Sequence, residues 1–600
     1  MSGANEDERP ESVASDRQWW KEAVVYQIYP KSFFDSDGDG IGDLAGIRQK
    51  VDYLDALGVD AVWLCPVYDS PQADNGYDIS DYRSIYDTYG DMADWERLLE
   101  ELHDRDIRLI MDLVVNHTSS EHEWFQRSRR EEGEYTDYYH WRDGRPADEA
   151  DYHTDDGPEG EVAPNNWESI FGGPAWRYDE AREQWYLHLF DESQPDLNWE
   201  NPDVRESVYE MMGWWLDRGI DGFRMDVINL ISKTPGLPDG DPNSGLVGAE
   251  HSMNGPKVHD YVSELVEEAI PDESILTVGE TPGATVEDGR QFVGPDGDGL
   301  SMVFQFEHVE VGREGGKWNA GEWSLVEFKE ILAKWQEGLA DDGWNSLYLS
   351  NHDQPRMVSR FGDDGEYRRR SAKLLGTLTH TLQGTPFVYQ GEEIGMTNAP
   401  FESVDELRDV ESINFVEDAI ENGDAESYED VRDAVETVGR DNARTPMQWS
   451  DDAAAGFTDG EPWLKINPNY DEINVERARA DPDSVWHYYR ELGELRDERD
   501  LLVYGEFELL APDDEQVFAY TRTLGEELAL VVLNISDEPT AFEVPTSVPV
   551  DDLSLALSNC ESPEAPTGAF ELSPYEARVY LTPTTHSDET DDHANTTDQT

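Results

Sequence analysis

Short apolar runs alternate with stretches of helical periodicity along most of the chain. The runs are AVVYQIYP (23–30), AVWLCPV (61–67), RLIMDLVV (108–115), GFRMDVI (222–228), SILTVGE (274–280), MVFQF (302–306), NSLYLS (345–350) and TPFVYQG (385–391). Near-continuous apolar character over so few residues predicts strands buried on both faces. Between most of them lie amphipathic stretches such as LAGIRQKVDYLDAL (44–57) and VHDYVSELVEEAI (258–270), which predict helices. Strands alternating with helices predict a parallel sheet, and eight such units fit a closed (β/α)8 TIM barrel with its active site at the C-terminal strand ends.

Two intervals break the rhythm. Residues 118–189 are rich in Trp, Tyr, Gly and Pro and poor in helical period, which predicts an insertion domain after the third strand. Residues 400–480 are irregular and partly helical. From residue 507 the pattern turns to FELLA, QVFAYTRT, ELALVVLNI, AFEVP and ARVYLT, short strands with turns between them, predicting a C-terminal antiparallel β domain over 507–583. The barrel then comprises 19–117 and 190–506. The polar, aperiodic ends, 1–18 and 584–600, predict disordered tails.

The predicted strand ends carry chemistry. The third ends in DLVVNH, giving Asp112, Asn116 and His117; the fourth in GFRMD, giving Arg224 and Asp226; the fifth in VGE, giving Glu280. The seventh runs into NHDQPR, giving His352 and Asp353. Residues two apart on a strand share a face, so Arg224 is expected beside Asp226, holding it ionised and lowering its pKa. Three carboxylates and two histidines thereby gather at one rim of the barrel.

In these motifs and their order the chain resembles the α-amylase superfamily of retaining glycoside hydrolases, family 13, and within it the oligo-1,6-glucosidase and α-glucosidase branch. DLVVNH, GFRMDVIN, VGET and NHDQPR stand at the four motif positions of that family; QPDLNW (194–199) and RDNARTPMQW (440–449) are further signatures. The resemblance implies Asp226 as nucleophile, Glu280 as general acid/base and Asp353 as the third carboxylate, orienting sugar hydroxyls. It implies His117, His352 and Arg224 around the bound glucosyl ring, Asp74 and Tyr77 of DNGYD as hydroxyl clamp and stacking platform, and Arg440 as the partner of Asp74. Burial and nearby carboxylates should raise the pKa of Glu280 so that it is protonated when substrate arrives. Val227 after the nucleophile goes, in that family, with α-1,6 preference, and Ala with α-1,4. The alternatives are an α-1,4-preferring glucosidase (maltase) and a sucrose isomerase or trehalose-forming glucosyltransferase; VGREGGKWN (311–319) departs from the Arg- and Asp-rich segment of the isomerases.

DSDGDGIGD (35–43) follows the first predicted strand. Asp35, Asp37, Asp39, the carbonyl of Ile41 and Asp43 fall at positions 1, 3, 5, 7 and 9 of an EF-hand-like loop, with Gly40 at the sharp turn and Gly46 in place of the terminal Glu. The spacing predicts a structural Ca2+ or Mg2+, which the family resemblance also implies. No organic cofactor is expected.

Charge narrows the partners. Asp plus Glu number 133 against 45 Lys plus Arg, a net charge of -88. Such a surface repels nucleic acid and anionic membranes. Its self-repulsion is screened in molar salt, where the Debye length falls to roughly 3 Å, and the scarcity of Lys fits a salt-accumulating halophile. Two cysteines, Cys65 and Cys560, give neither a disulfide scaffold nor a zinc site. No apolar run is long enough to span a bilayer, and the acidic N-terminus carries no signal pattern. The expectation is a cytoplasmic enzyme, monomeric or weakly oligomeric, acting on small oligosaccharides.

Overall fold

The computed structural model describes residues 17–583, apart from 155, 295–297, 314, 320, 561–565 and 567. The tails predicted at 1–18 and 584–600 therefore lie outside the described residues, except for Arg17 and Gln18. Eight parallel strands form the central sheet: β1 (Val25–Ile28), β2 (Ala61–Leu64), β3 (Arg108–Val114), β4 (Gly222–Asp226), β5 (Leu276–Glu280), β6 (Met302–Phe304), β7 (Ser346–Leu347) and β8 (Thr385–Tyr389). Each lies inside one of the eight apolar runs. The order is β6-β5-β4-β3-β2-β1-β8-β7, and a parallel bridge between Val303 and Asn345 joins the two ends into a closed barrel.

The runs are near-continuously apolar because these strands bury both faces. All residues of β1, β2, β4, β5 and β8 are buried. The surrounding helices bury one stripe: Met92–His103 turns Trp95, Leu98, Leu99 and Leu102 inward, and Asp91 with Asp94 closes a capping box at its start.

The insertion is built from a short helix, Glu123–Arg129, and a three-stranded antiparallel sheet of Trp141–Arg142, Gln184–Leu187 and Trp176–Asp179. Antiparallel bridges His117 to Asp196 and Tyr139 to Leu197 draw its two ends together beside β3. Its own apolar cluster, with Trp167, Phe171, Trp176 and Trp185, includes Val227 and Leu230 from the turn after β4. The irregular 400–480 stretch contains α1 (Val410–Glu421) and α2 (Tyr428–Val438). Asn414 of α1 donates to the Phe171 carbonyl of the insertion at 3.0 Å.

The C-terminal unit is a five-stranded antiparallel sheet, Glu506–Leu510, Val517–Leu524, Glu527–Asn534, Ala577–Leu581 and Ser554–Ser558 in spatial order, with a two-stranded companion. It is fastened to the barrel by cations that meet carbonyls. Arg522, fully buried, donates to Thr381 O at 2.6 Å and Leu502 O at 2.9 Å. Lys329 donates to Ala511 O at 2.9 Å, Asp514 O at 2.6 Å and Val517 O at 3.1 Å. Among the described residues, no helix is long and apolar enough to cross a membrane.

Candidate active site

Strands β3, β4 and β5 are neighbours, and their register decides which side chains meet. Arg224 lies opposite Asp112, and Met225 opposite Gly279, so Asp226 and Glu280 emerge side by side at the C-terminal rim. The Arg224 guanidinium, 1% exposed, binds all three acids. Nη1 lies 2.8 Å from Asp112 Oδ1 and 2.7 Å from Asp226 Oδ1, and Nη2 2.6 Å from Glu280 Oε2. Trp63 Nε1 and the Tyr77 hydroxyl each donate to the other oxygen of Asp112 at 3.1 Å, so this acid is fixed from both sides.

Arg224 pulls the Asp226 pKa down, as the strand spacing predicts, yet the net shift is upward. Burial is the largest influence, Glu280 and Asp112 add to it, and together they hold Asp226 well above the usual carboxylate range. Arg224 thus acts in the expected direction, but the expected net lowering is corrected: one cation shared by three acids cannot offset the loss of water around Asp226.

The second part of the site stands on loops. Arg440 reaches Asp74 Oδ1 and Asp353 Oδ1, each at 3.3 Å, and is anchored from behind by Asp409 at 2.6 Å and Glu411 at 3.3 Å. Arg444 binds Asp353 Oδ1 at 2.7 Å. His352 Nε2 lies 2.9 Å from Asp353 Oδ2, while its Nδ1 meets Gln27 Nε2 at 2.9 Å. Burial raises the Asp353 pKa, but His352, Arg440 and Arg444 together hold it well below the usual range. Asp74, more deeply buried than Asp353, is pushed up to about 7 by burial against the pull of Arg440 and Arg444. Tyr77 stacks on His352, centroids 5.2 Å apart and planes 8° from parallel. His117 is 1% exposed, near Phe190, with Gln194 Nε2 at 3.2 Å; burial lowers its pKa to about 4, leaving it neutral.

All ten predicted catalytic and sugar-contacting residues converge on this rim, Asp226, Glu280, Asp353, Asp74, Tyr77, His117, Arg224, His352 and Arg440 through these contacts and Val227 through its N–H, which donates to Glu280 Oε2 at 3.1 Å. Four partners escaped the sequence reading. Arg444 and Gln194 sit inside quoted motifs, RDNARTPMQW and QPDLNW, and could have been drawn from them. Asp409 and Glu411 begin α1 in an irregular stretch, where no periodicity singles them out. A further buried contact ties the motifs together: Lys233 Nζ lies 2.6 Å from Asp196 Oδ2 and 2.8 Å from Asn116 Oδ1.

The acidic loop lies apart from the rim. Carboxylate oxygens of Asp35, Asp37 and Asp39 fall within 4.8 Å of one another. Asp43 has other contacts: its oxygens accept from Ser36 N at 2.7 Å, Ser36 Oγ at 2.8 Å and Gly46 N at 2.6 Å, capping the helix Leu44–Gln49. Gly40, at φ 95°, packs so closely on segment 458–462 that a Cβ would meet the Glu461 carbonyl at 1.8 Å.

Comparison with known proteins bears on this arrangement. The model of the alpha amylase catalytic domain matches residues 27–505, and that of the maltogenic amylase C-terminal domain residues 507–579. An oligo-1,6-glucosidase of Parageobacillus thermoglucosidasius is 54% identical over 94% of this chain and 99% of its own length. One from Bacillus cereus is 51% identical over 94% and 99%. Among solved structures, Bacillus licheniformis trehalose-6-phosphate hydrolase aligns with a TM-score of 0.87 at 45% identity, covering 94% of this chain and all of that one. Isomaltulose synthase of Erwinia rhapontici aligns at 0.88 and 43%, covering 94% and 100%.

Proposed function

The chain belongs to the α-amylase family and is a glycoside hydrolase, and from that premise we propose a retaining, exo-acting α-glucosidase that releases glucose from the non-reducing ends of short α-glucosides, α-1,6 links preferred. The observation that carries this reading is the single guanidinium of Arg224 bridging Asp226 and Glu280. Two carboxyls held that closely suit the double-displacement route, in which retaining enzymes keep their acids about 5–5.5 Å apart. Asp226 attacks the anomeric carbon while Glu280 gives its proton to the departing glycosidic oxygen. Glu280 then takes a proton from water as that water displaces the Asp226 ester. Asp353, held ionised by His352, Arg440 and Arg444, accepts hydrogen bonds from sugar hydroxyls and favours the positive charge that develops on the ring. The Asp74–Arg440 pair closes the far wall, which favours attack at a chain end.

Linkage rests on Val227. Its methyl groups narrow the leaving-group side, and one or two methyls are worth about 1–3 kcal/mol of discrimination. The oligo-1,6-glucosidases among the relatives favour the same reading. A glucosyl-transferring or isomerising reaction is the second reading, favoured by the likeness to isomaltulose synthase.

For the acidic loop the reading is a structural Ca2+ or Mg2+ held by Asp35, Asp37 and Asp39 with the Ile41 carbonyl. Their hard oxygen donors suit either ion. Asp37 and Asp39 each accept a backbone N–H from two residues on through one oxygen, at 3.2 and 2.8 Å, leaving the other to turn toward a cation. Burial raises the Asp39 pKa and Asp37 and Asp35 add to it, a repulsion that a divalent ion would relieve. The ion would brace the loop and take no part in bond cleavage. The net charge of -88 supports a cytoplasm of molar salt as the working medium, and a monomer or weak oligomer.

The test is a product profile on isomaltose, maltose, panose and sucrose in molar KCl, with the first-formed anomer read by NMR. α-Glucose should appear first, with isomaltose and panose cleaved well and maltose poorly. β-Glucose first would end the double-displacement reading. Equal kcat/KM on isomaltose and maltose would end the linkage reading, and isomerised sucrose without glucose would favour transfer.

A further inference from the structure

Val227 adopts φ 36° and ψ 42°, the left-handed region. A β-branched residue there is a true outlier, and such strain persists only where the surroundings impose it. The surroundings are visible. Leu230 N donates to the Val227 carbonyl at 2.9 Å, closing the turn Ile228–Leu230, and the Val227 side chain, 8% exposed, belongs to the apolar cluster of the insertion.

This conformation aims the Val227 N–H at Glu280 Oε2, 3.1 Å away. Arg224 Nη2 meets the same oxygen at 2.6 Å. An oxygen that accepts two donors, one of them charged, is the acceptor atom of a carboxylic acid. We propose that the strained Val227 backbone is a positioning group for the general acid/base: its N–H, with Arg224, reserves Oε2 as acceptor and fixes the transferable proton on Oε1. The inference rests on the assignment of Glu280 as the acid/base.

The proton balance follows. As the glycosidic C–O bond breaks, the Oε1 hydrogen passes to the leaving oxygen, and the negative charge left on Glu280 falls on a group already solvated at Oε2. In the second half, Oε1 receives a proton from the attacking water while the Asp226 ester bond breaks. Val227 then has two duties, its side chain meeting the aglycone and its main chain holding the acid. A leaving group that displaces the side chain also disturbs proton delivery, so selection should act on kcat as well as KM.

The test removes one hydrogen-bond donor. Replacing Val227 by its α-hydroxy acid through nonsense suppression turns its amide into an ester and leaves the side chain intact. On isomaltose, kcat should fall about 10- to 100-fold, the range for a hydrogen bond to a charged group. The basic limb of the pH profile should move to higher pH, because a carboxylate that loses a donor holds its proton longer. On 2,4-dinitrophenyl α-glucoside, whose leaving group departs without a proton, glucosylation should change by less than about threefold. Val227→Ala keeps the N–H and should keep the basic limb where the wild type has it.

An ester variant with an unshifted basic limb, or with equal losses on both substrates, would overturn the inference, and thermal unfolding checks that it is folded. Glu280→Gln on the same substrates separates this from the parent reading. If Glu280→Gln shows no dependence on leaving group, the acid/base assignment itself is wrong; if it does and the ester does not, only the Val227 role falls.

Discussion

Arg224 and Arg440 each gather several carboxylates, yet they are built differently. Arg224 and its three acids stand on adjacent strands whose register is fixed by backbone ladders. Arg440 collects Asp74, Asp353, Asp409 and Glu411 from separate loops and helix ends. The first arrangement cannot shift without moving the barrel; the second can vary one segment at a time. On the proposed reading, the strands carry the nucleophile and the acid/base, and the loops carry most of the contacts to the bound sugar.

The contrast can be broken most sharply in the strand cluster. Asp226→Asn should lower kcat by more than about 10⁴-fold, the scale for loss of a nucleophile, and Glu280→Gln by about 10²- to 10⁴-fold. Both variants should keep the wild-type circular dichroism. Near-normal turnover in either would show that the strands do not hold the chemistry.

Next comes the loop cluster. Arg440→Met leaves Asp409 buried without its closest cation, and breaking a buried pair costs about 3–5 kcal/mol. The loss should appear mainly as raised KM on isomaltose, with kcat falling less, and as a lower Tm. If kcat fell as far as in Asp226→Asn, the division between strands and loops would be wrong.

pH sharpens the comparison further. Asp74 is pushed up to about 7 mainly by burial. With a folded pKa above its unfolded value, its proton contributes stability that is full below about 4 and is lost as pH rises through about 7. Binding runs the opposite way, since only the ionised form pairs with Arg440. On isomaltose, kcat/KM should therefore fall as pH drops below about 7, and Asp74→Asn should remove that limb. A limb that survives Asp74→Asn would assign it to Asp226 instead.

The smallest effect concerns the acidic loop. Chelation at constant ionic strength should lower Tm by a few degrees, the consequence of removing a ligand bound to the folded state, and leave kcat unchanged at lower temperature. An unaltered Tm would withdraw the metal.

How far the sequence could be read follows the same division. Arg224 and Asp226 were visible because strand residues two apart share a face, and Glu280 because it ends an apolar run. Asp353, beyond the end of the seventh run, was placed by the NHDQPR motif that carries the family resemblance. Asp409 and Glu411 could not be placed, because a loop acid is recognised only through its partner, here 31 and 29 residues away in a segment with no repeat. The eight strands were legible because burial on both faces leaves a near-continuous apolar run, whereas strands of the insertion as short as Trp141–Arg142 leave almost no signature. The Asp226 pKa was misjudged for a third reason: spacing shows a neighbour's charge but not how much water burial removes.

The acidic turn also bears on how the molecule is made. Its cover arrives late: Thr458, which donates to Asp35, lies 423 residues further along the chain. At about 5–20 residues per second, a ribosome needs roughly 20–80 s to bridge that gap. The nascent turn therefore spends that interval bare, and a chain released before residue 458 would carry the first barrel loop with its lid never delivered.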